Sequence, residues 1–224
     1  SRALRRVAEV PLLVAAALLV AFLIKTFLLQ AFFIPSASMV PALQVGDRIL
    51  VEKVSYRLRE PQRGEMVVFH RPGRQAERGA AAAARGFFEG LGLLRPGDDT
   101  DLIKRVVGLP GETVEVRNGT VVVDGHALRE PWVVPDGRSF APVTVPDGAY
   151  YVLGDNRTNS DDSRYTLGTL PREEVVGRAF AIVWPPAHAS VSLRTDYAGA
   201  DPPAGAGRPD SITAPPALPG PDDP

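Results

Sequence analysis

The chain has 224 residues, 45% of them apolar and 23% charged, with a formal net charge of −1. That is the composition of a folded protein of one or two domains, with no bulk field for nucleic acid or acidic substrates. The absence of cysteine excludes disulfides, thiolate catalysis and cysteine-ligated metals, and it suits an oxidising or a reducing compartment equally. The three histidines, His70, His126 and His188, have no ligand spacing and read as surface or strand residues.

Residues 1–9 carry Arg2, Arg5 and Arg6 and read as a cytoplasmic N-terminus. Residues 10–24 are apolar throughout apart from Pro11, and residues 26–34 resume the run after Lys25. A spanning helix needs about 20 mostly apolar residues, so a transmembrane anchor is expected over residues 7–29, with Lys25 snorkelling at its far end. The positive-inside rule then places everything after Gln30 outside. A cleavable signal peptide is the competing reading, but its apolar core runs to only about 7–15 residues.

Next comes Ile34-Pro-Ser-Ala-Ser-Met39, with Pro35 and Pro41 restricting the backbone on either side of two serines. A serine held in such a loop can be aimed, but its hydroxyl needs a nearby base to become a nucleophile. From Val45 the pattern turns to β. Strands are expected over residues 48–52, 66–69, 102–107, 149–153 and 175–184. Another pair, 112–116 and 120–123, flanks the hairpin signal Asn118-Gly119. Residues 131–148 read as irregular and proline-punctuated. Residues 72–99 read as an insertion, Ala/Gly/Arg-rich and then apolar at Phe87, Phe88, Leu91, Leu93 and Leu94; a flexible loop, a short helix and a membrane-dipping loop are all open. Residues 196–224, rich in Pro, Gly and Ala, read as a disordered tail. The expected architecture is therefore mainly β: a catalytic domain over residues 30–195, built as an open barrel or coiled sheet behind the anchor.

Neither a Gly-x-Ser-x-Gly elbow nor a histidine in a motif with an acidic partner is present. Lys104, among Leu102, Ile103, Val106 and Val107, stands out. Burial drives a lysine pKa down by as much as about 3–5 units, and a neutral amine can take the proton of a serine hydroxyl. Alternatively Lys104 faces solvent with Arg105 inward, or it is held in a salt bridge; strand alternation puts the two on opposite faces.

Four stretches, in order, carry a resemblance. Ile34-Pro-Ser-Ala-Ser-Met39, Arg63-Gly-Glu-Met-Val-Val-Phe69, Lys104-Arg-Val-Val-Gly-Leu-Pro-Gly-Glu112 and Gly154-Asp-Asn-Arg-Thr-Asn-Ser-Asp-Asp-Ser-Arg164 resemble the sequence boxes of the bacterial type I signal peptidases. The preceding span fits as well, and the Pro- and Ala-rich composition resembles that of an actinobacterium. The resemblance implies a membrane-anchored serine endopeptidase that removes signal peptides after Ala-x-Ala sites, with no cofactor and no metal. Ser38 matches the nucleophile and Lys104 the general base. The Ser38 N–H and the Ser36 hydroxyl match the oxyanion hole, and Ser160 the serine that orients the lysine. Arg105 with Asp155, and Asp162 with Arg164, match structural ion pairs. Phe32, Ile34, Met39, Leu43, Val68 and Ile103 match the lining of the pockets for the first and third residues before the cut. An extended substrate would add to strand edges before Ser36 and around residues 101–103. Implied partners are the signal peptides of exported preproteins, the lipid bilayer of the plasma membrane and the secretion translocon, without nucleic acid and with the enzyme a monomer.

Ala42, Thr158 and Tyr165-Thr-Leu-Gly168 depart from the family pattern away from the dyad. The competing functional readings are a catalytically silent tethered module that binds exported chains and a Ser-Lys self-cleaving repressor-type protease. The intact serine–lysine set argues against the first, and the span and the lack of a DNA-binding domain argue against the second.

Overall fold

The computed structural model describes residues 28–72 and 101–197, together with Leu18. The expected anchor, insertion and tail lie almost wholly outside the described residues. Among those described, no helix is long and apolar enough to cross a membrane. Leu29, expected to end the span, instead begins a strand.

Eleven strands are described: β1 (Leu29–Phe33), β2 (Arg48–Glu52), β3 (Met66–His70), β4 (Asp101–Gly108), β5 (Thr113–Arg117), β6 (Thr120–Val123), β7 (His126–Ala127), β8 (Phe140–Thr144), β9 (Ala149–Leu153), β10 (Leu170–Pro171) and β11 (Val175–Trp184). One short helix, α1 (Ser55–Leu58), follows β2. The strands form two antiparallel sheets, one in the order β1-β2-β11-β3-β4-β9-β10 and the other in the order β7-β6-β5-β8. Among the described residues the larger sheet is open, with β1 and β10 as its edges, and no barrel closes.

Local sequence explains most of these strands. In β2, Ile49 and Val51 alternate inward from more exposed neighbours, and in β5 Val114 and Val116 do the same. Strands β3 and β9 lie between neighbours on both sides and are apolar nearly throughout. The β5–β6 turn uses Asn118 and Gly119, both at positive φ, as a two-residue hairpin requires. Gly177 is needed for strand packing: a Cβ there would lie 2.4 Å from the Glu52 carbonyl oxygen of β2.

Two expectations are corrected. Within residues 131–148, Phe140–Thr144 forms β8 and pairs with β5, Val143 opposite Val114. Pro142 is tolerated there because β8 is an edge strand. The ordered body also runs past residue 195. Tyr197 is buried, stacks edge-on against Trp132 at 5.3 Å between ring centroids, and donates its hydroxyl to Glu130 Oε1 at 2.9 Å. One aromatic in a polar, aperiodic stretch gives no pattern to read.

The core divides into three clusters. One joins the smaller sheet to β9 through Val114, Val116, Tyr151 and Leu153. A second lies under residues 34–43, and a third contains Val67, Phe69, Val106, Tyr150 and Val152. Strand β3 serves both of the latter, with Met66 and Val68 on one face and Val67 and Phe69 on the other.

Candidate active site

Residues 34–47 form a loop tied at its base. Ile34 N donates to Asp47 O and Gly46 N to Ile34 O, both at 2.9 Å. The Asp47 carboxylate accepts from Gln44 N at 2.8 Å. Ile34, Met39 and Leu43 are buried in the second cluster, which anchors the loop and fixes the backbone from which Ser38 projects. Asn156 holds the loop from the far side: its N–H donates to Ser38 O at 3.1 Å and its Nδ2 to Ala37 O at 3.2 Å.

Lys104 meets this loop. It is 3% exposed, Ser38 is 8% exposed, and Nζ lies 2.9 Å from Ser38 Oγ. The amine also donates to Ile103 O at 3.0 Å. Burial lowers the Lys104 pKa to about 8, against the opposing pull of Asp162, Asp161 and Asp155; Arg71 adds to the lowering. About a tenth of the amine is therefore neutral at pH 7, in hydrogen-bond contact with a serine hydroxyl. That arrangement can deprotonate the serine. Ser36 Oγ lies 3.4 Å from Ser38 Oγ, on the exposed side of the loop.

Arg105 points away from Lys104 and is bidentate to Asp155, Nε to Oδ1 at 2.8 Å and Nη2 to Oδ2 at 2.6 Å, both side chains 1% exposed. Arg164 grips Asp162 in the same way, at 2.8 and 2.9 Å, while Asp162 Oδ2 accepts from Gly154 N at 3.0 Å. Asp161 pairs with Arg71 and accepts from Thr166. Each of the three aspartates thus has a protein partner. Among the described residues no cluster of His, Asp and Glu is placed to hold a metal ion.

Ser160 makes no hydrogen bond to the amine. Its Oγ is buried without a hydrogen-bond partner, so the Lys104–Ser160 bond implied by the resemblance is not made in this structure. The six expected pocket residues share the second cluster, with Ile34, Met39, Leu43 and Val68 buried and Phe32 and Ile103 partly so. Among the described residues the histidines make no hydrogen bond to Ser38. His70 pairs with Asp101 and His188 with Asp47, and His126 is exposed in β7. A cleft of about 330 Å³ opens elsewhere around the serine loop, lined by Pro41, Ala42, Met66, Arg105 and Trp132, and neither Ser38 nor Lys104 lines it.

Sequence reasoning missed Asn156 and Gly154. A Cβ on Gly154 would lie 2.6 Å from Ser38 O and 2.2 Å from Ser160 Oγ, so only glycine lets the chain just after β9 run this close to Ser38. Both residues fall inside the Gly154-Asp-Asn turn, but nothing local showed that this turn touches Ser38.

The family described as "Signal peptidase, peptidase S26" matches residues 7–184. A probable signal peptidase I-2 of Synechocystis sp. is 44% identical over 183 residues, which is 81% of this chain and 74% of the relative. The signal peptidase I of Mycobacterium tuberculosis is 38% identical over 213 residues, 80% of this chain and 72% of the relative. A crystal structure of a signal peptidase I from Enterococcus faecalis aligns with 54% of this chain and 97% of that one, at 30% identity and a TM-score of 0.37. With a serine and a lysine in contact at the centre of the matched region, and relatives of this identity over most of their length, the chain belongs to the signal peptidases of the S26 family and is a serine endopeptidase of the signal peptidase I type.

Proposed function

We propose that the chain is a membrane-anchored endopeptidase that cuts signal peptides from exported preproteins after small-x-small sites, with Ser38 and Lys104 as its dyad. The observation that carries this reading is the buried 2.9 Å contact between Nζ and Oγ. The neutral Lys104 amine takes the Ser38 proton as Oγ attacks the carbonyl of the residue before the cut. The Ser38 N–H and the Ser36 hydroxyl receive the developing oxyanion, each donor typically worth about 10²–10³ in rate. The Lys104 ammonium then protonates the leaving amine. A water, deprotonated by the same lysine, hydrolyses the acyl-enzyme. Ser160, buried beside Gly154 with its hydroxyl uncommitted, is the group available to orient the amine once Oγ is acylated. The Arg105–Asp155 and Asp162–Arg164 pairs keep the 154–164 turn against the lysine strand.

Free strand edges support an extended substrate. Among the described residues, strand β1 is terminal in its sheet, and β9 pairs with β4 only from Arg105 onward, leaving residues 101–104 without a described partner on that side. Phe32, Ile34, Met39, Leu43, Val68 and Ile103 offer shallow apolar pockets between these edges, which suit alanine and reject bulk. The apolar segment before Leu29 supplies the anchor, with the N-terminus cytoplasmic and the catalytic domain outside. Exposed Phe33 and Trp184, both opposite Arg48 on neighbouring strands, support a membrane-facing rim beside the site. The lipid bilayer and the secretion translocon are its surroundings, and the enzyme acts as a monomer.

The test is cleavage of a preprotein whose signal ends in Ala-x-Ala, by purified wild type, Ser38→Ala and Lys104→Met in detergent. Cleavage after the second alanine by the wild type alone is expected. Turnover by either variant refutes the dyad.

A further inference from the structure

The apolar face beneath the serine loop ends in a row of charge. Cross-strand register places Val68 of β3 opposite Ile103 of β4, and both belong with Val51 of β2 to the cluster under the loop. One step of the two-residue strand period further on come His70 and Asp101, while Lys53, one step beyond Val51, stands level with Val68 on the far side of β11, because Val51 and Met66 both lie opposite Ala179. His70 and Asp101 are direct cross-strand partners, with Nδ1 and Oδ1 2.6 Å apart, and their side chains are 33% and 24% exposed. Lys53 continues the β2 ladder by donating its N–H to Leu28 O at 3.0 Å. Its ammonium is partly buried, lies within electrostatic reach of Asp101, and is repelled by Arg57 of α1. The other described charges at this corner are paired: Glu52 with Arg178 and the Ser55 N–H, and Arg71 with Asp161. Among the described residues, the corner therefore sets Lys53 and Arg57 against one carboxylate, Asp101, which also pairs with His70.

This row borders the unpaired stretch of β4. A peptide extended along that edge presents alternate side chains to the same face. If the first and third residues before the cut enter the apolar pockets, the fifth reaches the charged row. We infer that Lys53, His70 and Asp101 read the fifth substrate residue before the cut and favour an acidic side chain there. The inference rests on the peptidase reading above and extends the specificity of that same site.

The experiment uses three peptides identical except for Glu, Gln or Lys at that position, each ending its signal in Ala-x-Ala. The Glu-to-Lys ratio of kcat/KM is expected to be roughly two- to fivefold at about pH 8, the scale of a half-exposed ion pair. Lys104 is common to both substrates, so its own titration cancels in the ratio. Lys53→Gln should bring the ratio close to one, and Asp101→Asn should raise it. Rates on the Gln peptide normalise each variant for folding. A wild-type ratio of one, a preference for Lys, or a ratio that Lys53→Gln leaves untouched overturns the inference while the peptidase reading stands. Failure to cut any of the three peptides sinks the peptidase reading itself, and this inference with it.

Discussion

Lys104, the proposed general base, is the residue at which structure, stability and the proposed activity meet. Its pKa of about 8 against an ordinary 10.5 means that only about a tenth of the enzyme holds a neutral base at pH 7, and about nine-tenths at pH 9. With a peptide ending in Ala-x-Ala, kcat/KM should climb about tenfold across that interval and then level off. Stability follows the same group with a definite sign. Below about pH 8 the lysine is protonated in both states, and burying the charge costs on the order of 3 kcal/mol. Between about pH 8 and 10.5 the unfolded chain holds the proton and the folded chain does not, so stability rises with pH and the cost fades. Lys104→Met removes the titration and keeps the volume, while losing the bond to Ile103 O, worth about 1 kcal/mol. At pH 7 the variant should be inactive and more stable than wild type by about 1–2 kcal/mol, with the gain gone near pH 10. Urea melts at the two pH values measure this alongside the activity profile. An activity midpoint near 10, or a Lys104→Met protein less stable than wild type at pH 7, would refute a desolvated lysine as the base.

Three other substitutions test the surroundings of the dyad. Gly154→Ala places a Cβ 2.6 Å from Ser38 O, so kcat should fall by about 10² with KM little changed, as expected when a nucleophile is displaced by a fraction of an ångström. Asp155→Asn leaves the Arg105 guanidinium buried against a neutral partner and should cost about 3–5 kcal/mol in a denaturant melt, with the loss spreading to the 154–164 turn. Tyr197→Ala removes a buried ring from Trp132 and a donor from Glu130 and should destabilise by about 3–5 kcal/mol; a neutral result would show that the ordered body ends before this residue.

What could be read from the chain alone divides along physical lines. Strand positions were legible wherever one face is buried, because the two-residue period is written locally: β2 and β5 alternate, β3 and β9 are continuous apolar runs, and Asn118-Gly119 marks its hairpin. Strand β8 escaped because an edge strand tolerates Pro142 and needs no alternation. The serine and the lysine were each suggestive for a local reason, a constrained loop and a charge in an apolar strand. Their pairing came from the resemblance, since nothing in either segment encodes a contact across 66 positions. Gly154, Asn156 and Tyr197 were illegible for the same reason in sharper form. A glycine, an asparagine and an aromatic in polar stretches have many local explanations, and only the folded chain shows which backbone they approach. The active site is thus assembled from two kinds of information. Side chains that do chemistry are chemically unusual where they stand and can be found from sequence. Residues that aim them are ordinary in type and unusual only in position: Gly154 matters because its missing Cβ leaves room for Ser38 O, and Asn156 because its two N–H donors fall on consecutive carbonyls of the serine loop.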